Sequence, residues 1–105
     1  MEMKFTQENF DAEVLNGGSL AVVDFYADWC APCKMMAPVI EELAKKYSGQ
    51  VKIGKLNVDD NSQIAAKYRV MSIPTIMFFK NGEAVETFVG VQKKEELEAK
   101  IEQYK

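Results

Sequence analysis

The chain has 105 residues, 48% of them hydrophobic, with 13 Lys plus Arg against 16 Asp plus Glu, two cysteines and no histidine. That length predicts a single domain over residues 1–105, burying roughly 65% of its unfolded surface without metal or disulfide staples. The net charge of −3 argues against a nucleic-acid partner; the absence of histidine removes Ser-His-Asp triads, Cys-His dyads and His-ligated metals, and two cysteines cannot fill a closed zinc site.

Residues 3–5 are an apolar lead-in that fits an edge strand. Thr6 can cap a helix running to about residue 15, with Phe10 and Val14 on one face, and Asn16-Gly17-Gly18 stops it. Residues 20–27 are apolar except for Asp24 and predict a central strand covered on both faces. A helix is expected over about 33–47, where Cys33, Met36, Ile40, Leu43 and Tyr47 share one face and Pro38 introduces a kink. Residues 51–58 alternate as a strand. Asp59-Asp60-Asn61-Ser62 offers caps for a short helix to about residue 68. Residues 75–80 predict a strand, and Asn81-Gly82 a hairpin into a further strand over 84–89. A last helix over about 93–104 turns Leu97, Ile101 and Tyr104 inward, with Glu95, Glu96, Glu98 and Lys100 on a solvated face. The order β-α-β-α-β-α-β-β-α predicts an α/β fold: a mixed five-stranded sheet flanked by four helices.

No apolar run approaches the length of a membrane span, and residues 1–4 lack a basic region followed by an apolar stretch. The expected location is the cytoplasm, where paired cysteines read as catalytic, redox-active or metal-binding.

The informative segment is Trp29-Cys30-Ala31-Pro32-Cys33, at the junction of a central strand and a helix. Cys30 falls at the helix start, where free N–H groups and the helix dipole stabilise a thiolate, and Cys33 lies one turn inside. Pro32 suits the first helical position and stiffens the small ring that a Cys30–Cys33 disulfide closes. As a structural disulfide this pair would stabilise little, because its loop is tiny. As half of a metal site it lacks partners, unless two chains share the metal. A redox dithiol fits the placement.

Such a dithiol needs a proton acceptor for its second thiol. Asp24 stands alone in an apolar strand, where burial raises a carboxyl toward neutrality. Lys55, in a neighbouring strand pattern, could pair with Asp24 and tune it. Pro74, before a strand, is trans by default. Met35, Met36 and Met71 lie near the dithiol and the proline loop in sequence; Met36 reads as core and the others as a soft apolar rim.

In combination, W-C-x-P-C after an Asp-bearing apolar strand and I-P-T before an apolar strand and K-N-G resemble the thioredoxin family over the whole chain. The resemblance implies the thioredoxin fold and a protein-disulfide reductase, a general redox and electron carrier. It needs no cofactor or metal beyond its own disulfide. It assigns Cys30 as nucleophile, Cys33 as resolving thiol and Asp24 as acceptor for the Cys33 proton. Pro74 is then cis, facing the dithiol, and Trp29, Ile73 and Gly90 belong to the substrate groove. Ala31 stands where the family usually has Gly, and with Pro32 it tunes the redox potential. Ser72 likewise stands where Gly is frequent. The implied partners are a thioredoxin reductase and disulfide-bearing proteins, served by a monomer. The competing readings are a glutathione-linked oxidoreductase and a non-catalytic binding subunit.

Overall fold

In a computed structural model describing residues 2–105, five strands form one mixed sheet in the order β1-β3-β2-β4-β5. These are β1 (Met3–Lys4), β2 (Ala21–Tyr26), β3 (Lys52–Asn57), β4 (Thr75–Lys80) and β5 (Glu83–Val89). β1, β3 and β2 run parallel; β4 is antiparallel to β2, and β5 to β4. Three helices, α1 (Ala31–Lys46), α2 (Ser62–Lys67) and α3 (Lys94–Tyr104), join a π-helical turn at Asp11–Leu15. The α/β class, the mixed five-stranded sheet and four helical segments all agree with the sequence reading.

The core explains the apolar run in β2. Alternate side chains of a strand point to opposite faces, and here both faces are covered. Val22 packs with Ile53, Ile76 and Phe78 under Met36, Ile40 and Leu43 of α1 and Leu97 and Ile101 of α3. Ala21, Val23 and Phe25 pack on the other side with Phe10, Val14 and Phe79. Asp24 shares the Val22 side, so it points toward the layer that holds α1.

One local expectation is refined and three are revised. Thr6 does cap the first helical segment: its hydroxyl accepts from the Asn9 N–H at 3.2 Å while Asn9 Oδ1 accepts from the Thr6 N–H at 2.8 Å, a reciprocal capping pair. The following segment winds wide, with the Asn16 N–H reaching back five residues to Asp11. The main helix begins at Ala31 rather than Cys33, because Cys30 itself is the cap, and it runs through Pro38. Asn61 stands at the cap position of α2 but makes no capping bond; its Oδ1 accepts instead from the Gln7 N–H at 2.9 Å. Finally, α3 is not merely solvated on its charged face. Glu98 pairs with Lys46 of α1 at 2.7 Å and Lys100 with Glu86 of β5 at 3.3 Å.

The β4–β5 hairpin forms as expected. Asn81 and Gly82 both have positive φ, 54° and 81°, the pattern of a type I′ turn matching the twist of paired strands.

Candidate active site

The dithiol sits where the chain leaves β2 and enters α1. Cys30 is the N-cap of α1, with extended backbone (φ −92°, ψ 110°), and its Sγ accepts a hydrogen bond from the Cys33 N–H at 3.2 Å. A sulfur thus takes the place that a Ser or Asp oxygen fills in ordinary caps. Ala31 and Pro32 occupy the first two helical positions and are exposed. The missing N–H of Pro32 costs nothing there, since the first four helical N–H groups have no partner within the helix. Cys30 and Cys33 are joined as a disulfide with their Cα atoms 5.2 Å apart, and both residues are buried.

A second loop closes on the first. The Ile73-Pro74 peptide bond is cis, contrary to the default for the residues alone and in line with the family resemblance. The Ile73 carbonyl oxygen stands 3.7 Å from Cys30 Sγ, and the Ile73 side chain packs against Ala27, Cys30 and Cys33. Thr75 Oγ1 donates to the Ser72 carbonyl at 2.6 Å, fixing the loop from its far side. Gly90 comes from a third loop: its N–H donates to the Pro74 carbonyl at 2.8 Å, with φ at +89°. That backbone conformation favours glycine, because a Cβ crowds the neighbouring carbonyl there.

Trp29 is 70% exposed rather than packed away, and its Nε1–H donates to Asp59 Oδ2 at 2.9 Å. Asp59 is held in turn: Asn57 Oδ1 accepts from the Asp59 and Asp60 N–H groups at 2.9 and 3.3 Å. Asn57 and Asp59 are site residues that the sequence reading missed. Their signal is an Asx turn, Asn followed two residues later by Asp at the end of a strand. Met35 and Met71 are exposed, whereas Met36 is in the core, where its sulfur accepts from the Gln92 N–H at 3.2 Å.

Beneath the dithiol, Asp24 is fully buried and neither of its oxygens has a hydrogen-bond partner among the described residues. Burial pushes its carboxyl up to about 7; the Lys55 charge opposes this and the Glu2 charge adds to it. Asp24, Cys33 and Lys55 line one cavity of about 140 Å³, with Tyr26, Ala27 and Lys34. Lys55 is the registered neighbour of Asp24 across β2 and β3. Its ion pair, however, is with Glu2 at 3.9 Å, and its ammonium lies 4.8 Å from the centre of the Tyr26 ring. The expected contact pair with Asp24 therefore does not form; Lys55 reaches Asp24 through its charge alone. The structure thus brings Cys30, Cys33, Asp24, Ile73 and Pro74 together, with Trp29 and Gly90 on adjoining loops.

Among the described residues no group of three or more Cys, Asp or Glu side chains could hold a metal ion, and no helix is long and apolar enough to cross a membrane. The site itself is a Cys30–Cys33 disulfide, capped at one sulfur and backed by a carboxyl that burial pushes up to about 7. The comparisons agree with that chemistry. The thioredoxin family model matches residues 2–103. The chain is 53% identical over 102 residues to a thioredoxin of Staphylococcus saprophyticus, covering 97% of this chain and 96% of that one. It is 55% identical over 95 residues to thioredoxins of Staphylococcus epidermidis and Staphylococcus aureus, covering 90% of this chain and 89% of each relative. With a match of that extent around this dithiol, the chain belongs to the thioredoxin family of thiol-disulfide oxidoreductases.

Proposed function

We propose that the chain reduces disulfides in target proteins, with Cys30 as nucleophile, Cys33 as resolving thiol and Asp24 as acceptor of the Cys33 proton. The observation that carries the assignment is the shared cavity joining Asp24 to Cys33 but not to Cys30. The Cys30 thiolate attacks one sulfur of the target disulfide; the new S–S bond forms as the old one breaks, and the leaving target thiolate takes up a proton. Cys33 then gives its proton to Asp24, through water that the cavity has room to hold. The Cys33 thiolate attacks Cys30 Sγ, closing the Cys30–Cys33 disulfide and releasing the second target thiolate, which is protonated. Two electrons pass to the target, and the chain is left oxidised.

The loops around the dithiol fit an extended polypeptide better than a small thiol. The Ile73 carbonyl beside Cys30 offers an acceptor to a strand laid across the site. Exposed Trp29, Met71 and Val91, flanking the three loops in sequence, supply apolar contact. Ala31 and Pro32, between the cysteines, are the positions that tune the redox potential. A thioredoxin reductase then returns the chain to the dithiol form, in the cytoplasm, and the whole chain acts as one monomeric domain without other cofactors.

The test separates the two steps. With a fluorescent disulfide peptide at pH 7, Asp24→Asn is expected to leave formation of the mixed disulfide unchanged and slow its resolution by about tenfold or more. Equal slowing of both steps would remove Asp24 from the acceptor role.

A further inference from the structure

Two charged groups that act on Asp24 have no part in the reaction as written: Lys55 and Glu2. In the parallel pairing of β2 with β3, Lys55 stands opposite Asp24, so both side chains rise from the same face of the sheet. Both line the cavity that reaches Cys33. Yet the Asp24 oxygens have no partner, and the Lys55 ammonium is engaged by Glu2 Oε1 at 3.9 Å and the Tyr26 ring at 4.8 Å. Glu2 directly precedes β1, whose Met3 pairs with Gly54 of β3, and its other oxygen, Oε2, is buried without a hydrogen-bond partner. Two partly or fully buried carboxyls therefore compete for one cation. An ammonium drawn onto Asp24 would favour its charged form and make it a poor proton acceptor.

We propose that Glu2 is a positioning residue of the dithiol site: by holding the Lys55 ammonium against itself and Tyr26, it limits how strongly Lys55 stabilises a charged Asp24, and so keeps Asp24 able to take the Cys33 proton. The proposal rests on the reading of Asp24 as acceptor. The remaining charged groups of this corner lie farther out or act on Glu2. Burial raises the Glu2 carboxyl, the Lys55 charge opposes that rise, and Glu41 of α1 adds to it more weakly. Exposed Lys34 of α1 and exposed Asp28 of the β2–α1 loop line the cavity rim. Exposed Lys4 of β1 stands opposite Lys55 in register. Glu2 also acts on Asp24 as a like charge, in the same direction as its capture of Lys55.

The experiment follows the Asp24 side-chain carboxyl by 13C NMR titration in the oxidised full-length chain, in the native protein, Glu2→Gln, Glu2→Asp, Lys55→Met and Glu2→Gln/Lys55→Met. Glu2→Gln is expected to lower the Asp24 midpoint by about half a pH unit or more, and Glu2→Asp to restore part of that loss. Lys55→Met is expected to raise the midpoint, and in its background the Glu2→Gln effect should shrink to less than half. The pH profile of mixed-disulfide resolution should move with the midpoint. An unmoved midpoint in Glu2→Gln overturns the proposal, and so does an undiminished effect in the Lys55→Met background, which would leave only direct repulsion. Should Glu2→Gln not fold, a midpoint that fails to rise in Lys55→Met overturns it equally. Because Asp24 is read directly, failure of the acceptor reading, seen as normal resolution in Asp24→Asn, is a separate outcome.

Discussion

The Cys33 backbone N–H donates to the sulfur of Cys30 at 3.2 Å, while Cys33 itself faces the cavity shared with Asp24. One sulfur thus stands at the positive end of a helix, and its partner beside a carboxyl. A thiolate is favoured at the first place and disfavoured at the second. Both cysteines are equally buried, so exposure does not separate them. In the reduced protein, iodoacetamide at pH 7 is expected to label Cys30 before Cys33, by peptide mapping of a limited reaction. Faster labelling of Cys33 would reverse the two roles.

Asp24 ties the redox site to stability. Its carboxyl is held at about 7 against a usual 3.8, so the folded chain keeps a proton that the unfolded chain releases. Stability contributed by this group is fully present below about pH 4 and is lost as pH rises toward 7. One pH unit of difference corresponds to about 1.4 kcal/mol, so the loss is about 4 kcal/mol. Urea unfolding of the oxidised protein and of Asp24→Asn is expected to show the variant gaining that amount on the native chain between pH 4 and pH 8. A constant difference across that range would contradict the raised carboxyl.

Gly90 couples backbone conformation to the proline loop. Its φ of +89° and its 2.8 Å bond to the Pro74 carbonyl occur together. Beyond its two chain neighbours, an added Cβ would meet no atom within 4 Å, so the cost lies in the local backbone alone. Gly90→Ala is expected to lose about 1–2 kcal/mol in urea unfolding and to raise KM for protein disulfides. An unchanged unfolding midpoint would show that the loop adopts another path at no cost.

Trp29 is 70% exposed, and among the described residues its indole bonds to Asp59. Its removal should therefore spare the fold and injure binding. Trp29→Ala is expected to shift stability by less than about 0.5 kcal/mol and to raise KM for a protein disulfide by about tenfold, as truncation of an interface aromatic does. The reverse pattern, lost stability with normal KM, would make Trp29 a packing residue.

Much of this was legible in the residues. The apolar run around Asp24 gave β2 and its burial on both faces, because a strand covered twice has no polar side to spare. Asn81-Gly82 placed the hairpin, because few residue pairs adopt its backbone. C-x-x-C at a strand–helix junction placed the dithiol. Other features were hidden because they depend on partners distant in sequence. Asn61 reads as a cap, yet Gln7, 54 positions away, takes its oxygen. The strand pattern brings Lys55 next to Asp24, but its partner Glu2 belongs to a segment whose pairing with β3 no local pattern announces. The cis bond at Pro74 came only from the family resemblance, since an isolated X-Pro bond prefers trans.

The most direct test of the division of labour at the dithiol is a trapping experiment. The Cys33→Ser and Cys30→Ser chains, reduced and mixed with insulin, are analysed by mass spectrometry after acid quenching. Cys33→Ser is expected to accumulate a mixed disulfide through Cys30, and Cys30→Ser to form little or none, with neither variant turning over insulin. Accumulation through Cys33 in the Cys30→Ser chain, with none in Cys33→Ser, would contradict the account.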